Sequence, residues 1–181
     1  MHIGRDLLEA LGEDVTRPGL IGTPERFARW WQEFIDYEPG RTDTAFDGIQ
    51  SGQLVAVSPM RVWSVCEHHL MPMWCDISIA YVPGESVLGL SKFARIAHQF
   101  AHRLQIQERL VSQIADEVQR VTGSGDVAVM ARGVHLCMVM RGIRTPGRMT
   151  SMVLRGGFEQ DTTLRGEFFK VVELSESAAS T

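Results

Sequence analysis

Residues 91–122 read SKFARIAHQFAHRLQIQERLVSQIADEVQRVT, and the spacing of their apolar positions sets the fold class. In the first half Phe93, Ile96, Ala97, Phe100 and Leu104 recur at helical intervals, which predicts a helix with one buried face. In the second half Leu110, Val111, Ile114, Val118 and Val121 do the same over 107–122, and the glycines at 123 and 125 end the run. The two helices read as a packed pair. Upstream, QLVAVSPMRVWSV and MWCDISIAYV have the β-rich, partly alternating character of strands, and a turn is expected at Pro83-Gly84-Glu85. Downstream, DVAVMARG, VHLCMVM and MTSMVLRGGF restore strand character, with a turn around Thr145-Pro146-Gly147. The order is therefore helices, β, β, α, α, β, β, an α+β arrangement.

The chain has 181 residues, 44% of them apolar and 22% charged, with a formal net charge of -4. That length suits one compact domain, and the balance describes an ordinary globular protein rather than a disordered one. It argues against bulk nucleic-acid binding. No apolar run approaches the ~18 residues of a membrane span, and MHIGRDLLEALGEDV lacks the basic-then-apolar layout of a secretory signal, so a cytoplasmic protein without membrane contact is expected. The three cysteines, Cys66, Cys75 and Cys137, are odd in number and widely spaced. They do not read as a disulfide framework, which leaves metal binding or catalysis.

Ahead of the strands, LLEALGED predicts a short amphipathic helix. Thr23-Pro24-Glu25 supplies an N-cap, a proline at the first helical position and an early acid, which predicts a helix over 24–37. Phe27, Trp30, Trp31 and Phe34 recur along it at helical spacing and read as core or interface residues. Residues 38–52, rich in Gly, Asp and Thr, read as a connection. The expected organisation is one domain over 1–181, with a helical arm and connection over 1–45, the main unit over 46–175, and a flexible polar tail over 176–181.

The chemistry concentrates in VCEHHLMP, residues 65–72. In a helical turn positions i and i+3 share a face, so Cys66 and His69 can reach one metal ion while His68 points elsewhere. In an extended segment i and i+2 share a face, so His135 and Cys137 in VHLCM project together. Cys66, His69 and Cys137 then form a Cys₂His set, and three protein ligands with one open position describe a catalytic zinc site. Spacing leaves two other readings open. One is a closed structural zinc site that adds Cys75 or His135, and the other is no metal at all, with the thiols buried as small hydrophobes.

CEHHLMP, GLSKFARI, RLQIQERL and HLCMVMRG, in that order, resemble the successive signature blocks of GTP cyclohydrolase I, and GED, GLIGTPERFA and LRGGF also fit its pattern. The resemblance extends over residues 7–173. Several separated motifs in correct order are far more specific than any one of them. It implies the tunnelling fold, a ββααββ unit with an antiparallel sheet and a helix pair on one face. Such units join into rings that stack as a homodecamer with active sites between subunits. It also implies the reaction of GTP with water to give 7,8-dihydroneopterin triphosphate and formate, the first step of pterin, folate or deazaguanine biosynthesis.

By the same resemblance Cys66, His69 and Cys137 match zinc ligands, and His68 and His135 match catalytic histidines. Imidazoles, with pKa values near neutral, suit proton transfer to the opening ring. Glu108 matches the residue that recognises guanine, whose parallel N–H donors a carboxylate can accept together, with Gln107 beside it. Ser91, Lys92, Arg95 and Arg141 match triphosphate-binding positions at a helix start and just after the Cys137 segment. His98 and His102, one turn apart, read as surface or packing residues.

Two stretches depart from the family's pattern. The run Met73-Trp74-Cys75-Asp76 replaces an aromatic, glycine and lysine, and Ser58-Pro59 stands where a basic residue and an acid are usual. The proline suggests an edge strand or a bulge. A tunnelling-fold protein that only binds a purine or pterin is the alternative function. A nitrile-reducing relative is set aside because Cys75, between Trp74 and Asp76, matches its nucleophile motif poorly.

Overall fold

The computed structural model describes residues 2–47, 52–84 and 86–179. Residues 48–51 of the expected connection, Glu85 of the expected turn and the last two residues of the expected tail lie outside the described residues. The chain divides into two compact units, Met1–Glu38 and Pro39–Thr181.

The first unit holds α1 (Ile3–Ala10) and α2 (Thr23–Ile35), packed on each other. Helix α1 starts earlier than LLEALGED suggests. Gly22 caps α2 without a side-chain bond, and Thr23 is not the N-cap; its hydroxyl instead accepts from the Arg26 guanidinium at 2.9 Å. The aromatic residues of α2 pack on one another, with Trp30 and Phe34 stacked at 6.1 Å and Phe27 edge-on to Trp31 at 6.4 Å. That is the i, i+4 contact a helix surface allows.

The second unit is built on strands β1 (Ala45–Asp47), β2 (Val55–Cys66), β3 (Met71–Tyr81) and β4 (Ser86–Leu88), then α3 (Leu90–Ala101), β5 (Leu104–Gln105) and α4 (Gln107–Thr122). It continues through β6 (Val127–His135), α5 (Leu136–Val139), β7 (Met149–Leu154), α6 (Gly157–Gln160) and α7 (Thr162–Ala179). Five strands form one sheet in the order β5-β2-β3-β6-β7, antiparallel except for the short parallel pairing of β5 with β2, and β1 pairs separately with β4. Among the described residues, β7 and most of β2 present outer edges without a partner strand.

The helix pair α3/α4 covers one face of the sheet, as its apolar stripe requires. Phe93, Ile96 and Ala97 with Leu110, Ile114 and Val118 meet Ile77, Ile79, Tyr81, Val127 and Val129 in one core, all nearly or fully buried. The period-2 alternation of β3 sends Ala80 to the opposite face. Gly123, at φ 68, takes the left-handed conformation that ends α4.

Two expectations are corrected here. Leu104 does not continue α3: the helix ends at Ala101, whose carbonyl accepts the buried Ser64 hydroxyl at 2.7 Å, and Leu104 pairs with Val65 in β5. VHLCMVM is not a strand throughout, since β6 stops at His135 and α5 follows. Helix α7 runs to Ala179; its Leu164, Phe168 and Val172, four apart, lie on Ala80, Ala128, Met130 and Phe158 and cover the sheet's second face. The proline expectation holds: β2 slips register against β3 between Val57 and Met60, at Pro59. The unusual Met73-Trp74-Cys75-Asp76 run is matched from across the ladder, where Trp74 faces Trp63 at 5.4 Å and Asp76 accepts two bonds from Arg61. Among the described residues no helix is long and apolar enough to cross a membrane.

Phe168 is fully buried under this second face whereas Phe169 is 37% exposed. Phe168→Ala should therefore lose about 3–5 kcal/mol of stability in urea unfolding, and Phe169→Ala a fraction of that. Equal losses would mean that α7 is not docked by this face.

Candidate active site and metal centre

Strand β2 delivers Cys66 to the end of the sheet, and the chain reverses there through a helical turn. The Leu70 amide donates to the Cys66 carbonyl at 2.9 Å, and Leu70 adopts φ 51 before β3 begins. This turn puts Cys66 Sγ 3.7 Å from His69 Nδ1, as the i, i+3 reading requires, with the His68 side chain largely exposed. Cys137 arrives from the far end of β6 by a different route from the expected one. The β3 ladder ends at Met73 and His135; beyond it the backbone has no strand partner and turns helical, the Met140 amide bonding back to Leu136 at 2.8 Å. Cys137 Sγ then lies 3.9 Å from Cys66 Sγ.

The donor atoms of Cys66, His69 and Cys137 all lie within 4.8 Å of one another, a group that could hold a metal ion. A tetrahedral zinc ion, with Zn–S near 2.3 Å and Zn–N near 2.0–2.1 Å, would set sulfur and sulfur about 3.8 Å apart and sulfur and nitrogen about 3.5 Å apart. The observed separations fit, and all three cysteines are free thiols. Burial pushes the Cys137 thiol up, the neighbouring Cys66 adds to this, and Arg141 opposes it. A bound cation would reverse that balance by favouring the thiolate. The two side chains that could close the site are turned elsewhere: Cys75 Sγ lies 3.6 Å from Gln107 Oε1, and His135 Nε2 lies 2.9 Å from the same oxygen.

The first turn of α4 holds this end of the sheet together. Gln107 is 1% exposed, on the same stripe as Leu110, Val111 and Ile114, and its side chain is engaged inside the protein with His135. Glu108 is exposed, and its charge is felt by His135. Burial pulls the pKa of His135 down, which favours the uncharged ring, and Glu108 pulls it partly back. Arg109 forms an ion pair with Glu67, the residue between Cys66 and His68, and donates to Gln105 Oε1 at 2.7 Å. Arg109 and Gln105 escaped the sequence reading. No sequence signal marked them, because Gln105 sits in β5 and its burial, like the ion pair of Arg109, comes from the fold.

The expected anion-binding residues fall into two places. Ser91 and Lys92 lie in the first turn of α3, where Lys92 is 8% exposed and its Nζ donates to the Arg41 carbonyl at 2.9 Å. Arg95 lies against the same connection, since a Cβ on Gly40 would fall 2.5 Å from its guanidinium. Arg141 is exposed beyond α5, close enough to Cys137 to influence it.

The sequence profile of the family described as GTP cyclohydrolase I matches residues 2–173, and the chain belongs to that family. It is similar to the protein named GTP cyclohydrolase 1 of Hyperthermus butylicus, with 44% identity over 93% of this chain and 87% of that one. The protein of the same name from Corynebacterium glutamicum is 44% identical over 93% of this chain and 89% of its own. The one from Deinococcus radiodurans is 38% identical over 93% and 81%.

The three thiols differ sharply in environment, which alkylation can read. Burial raises the Cys75 pKa to about 12, so at pH 8 only about one such thiol in ten thousand is ionised. Iodoacetamide should therefore label Cys137 of the chelator-treated folded chain and leave Cys75 intact until urea is added, as read by peptide mass spectrometry. Early labelling of Cys75 would contradict the burial.

Proposed function

We propose that this chain is a zinc-dependent hydrolase that converts GTP and water to 7,8-dihydroneopterin triphosphate and formate. Family membership supports the reaction, and the observation that carries the site is the Cys66, His69 and Cys137 donor group with Cys75 and His135 both directed at Gln107. When bound, zinc supplies a Lewis acid and a water acidic enough to act as a nucleophile near neutral pH. The chain's own residues do the rest. His135, half-buried with its pKa drawn down by burial, and His68, exposed beside the proposed metal ligand His69, suit the proton transfers that accompany opening of the guanine imidazole ring.

Glu108, exposed at the start of α4, suits the paired N–H donors of guanine, on the same turn that carries His135's partner. Ser91, Lys92, Arg95 and Arg141 would meet the triphosphate. Their division between α3 and the α5 end fits an active site completed by a neighbouring subunit. The outer edges of β2 and β7 are where sheets of adjacent copies would join into the rings of a decamer. We assign the enzyme to the cytoplasm, at the first step of pterin, folate or deazaguanine biosynthesis.

The decisive assay incubates zinc-loaded protein with GTP and follows formate together with the fluorescence of oxidised neopterin. Formate release is expected, and its absence with zinc retained overturns the reading. Cys137→Ala should lose zinc and turnover together, whereas His135→Ala should keep zinc and lose about 10²–10⁴-fold in kcat. Zinc loss in both variants would point instead to a closed structural site.

A further inference from the structure

The amide nitrogen of Gln107 donates to the backbone carbonyls of Ala131 and Met149 and to Ser151 Oγ, each at 3.0 Å. Carbonyl oxygens only accept hydrogen bonds, so these partners fix which end of the amide is nitrogen. The oxygen, Oε1, is then the atom 2.9 Å from His135 Nε2 and 3.6 Å from Cys75 Sγ. An amide oxygen can only accept, so the hydrogen of each contact belongs to the histidine and to the thiol. The backbone makes room for this oxygen at Gly133, where a Cβ would fall 2.1 Å from Gln107 Oε1 and 2.9 Å from Cys75 Sγ.

We infer that Gln107 is a positioning residue that holds His135 as its Nε2–H tautomer and so leaves Nδ1 as the acceptor atom of the ring, with Cys75 as a second donor that aligns the amide oxygen. The tautomer of a reacting imidazole is set by whatever bonds its other nitrogen. Gln107 would thus act on the reaction through His135 rather than by touching substrate. The role in turnover rests on the proposed GTP hydrolysis, but the tautomer does not.

The direct test is a long-range ¹H–¹⁵N correlation spectrum of zinc-loaded, ¹⁵N-histidine-labelled protein at pH 7.5, with the His135 signals assigned by their disappearance in His135→Asn. A protonated Nε2 and an unprotonated Nδ1 are expected, and the reverse pattern overturns the inference whether or not GTP is hydrolysed. In Gln107→Leu the tautomer preference should be lost and kcat should fall about 10²-fold with KM within about twofold. A raised KM at unchanged kcat would make Gln107 a substrate contact and overturn the inference. Gln107→Glu keeps an acceptor for Nε2–H while weakening the bonds to Ala131 and Met149. It should retain the tautomer and recover most of kcat at a Tm as low as that of Gln107→Leu. If the two variants lose kcat equally, the side chain is only structural and the inference fails.

Discussion

Strand β3 pairs Met71 with Cys66 on one side and Met73 with His135 on the other, and this register brings two distant parts of the chain to one end of the sheet. Cys66 and Cys137 are 71 positions apart, yet their sulfurs lie 3.9 Å from each other. A slip of one residue in either ladder would turn the paired side chains to the opposite face and scatter the donors. The core enforces the register, because Ile77, Ile79 and Tyr81 must face α3 and α4 while Ala80 faces α7. Packing of the sheet and assembly of the Cys66, His69 and Cys137 donor group are therefore one constraint.

Helix α4 connects that constraint to the chemistry. Its three first residues go three ways: Gln107 inward to His135, Glu108 outward, Arg109 across to Glu67 in the turn that joins Cys66 to His69. A buried amide with every polar atom bonded is a stiff element, because leaving one unpaired costs about 1–3 kcal/mol. The departures from the family's pattern fit the same framework. Trp74 and Asp76 are met by Trp63 and Arg61 across the ladder, and Cys75, between them, faces the helix-covered core and reaches Gln107.

How much could be read in advance varied with how local the controlling physics was. Helix α4 was legible to the residue, since its apolar stripe and the glycine at 123 are both local. The turn uniting Cys66 and His69 was equally plain. Leu104 misled because it continues the stripe of α3, while the bond that ends the helix comes from Ser64 on another strand. Cys137 misled because VHLCMVM is a short apolar run, and its switch from strand to helix depends on where β3 stops offering partners. Helix α7 had a readable signal in Leu164, Phe168 and Val172, but its necessity follows from a second sheet face that sequence alone does not reveal as exposed. Gln107 was legible as important and not as interior, because only the fold places it beneath His135.

The central claim is a single metal ion held by Cys66, His69 and Cys137 with a fourth position open to water. X-ray absorption spectroscopy at the zinc edge of the loaded protein tests it most directly. Two sulfur scatterers near 2.3 Å and two nitrogen or oxygen scatterers near 2.0–2.1 Å are predicted, unchanged by Cys75→Ser. Three sulfurs, or a sulfur count that falls in that variant, would mean that Cys75 closes the site, and the account of an open catalytic metal would be contradicted.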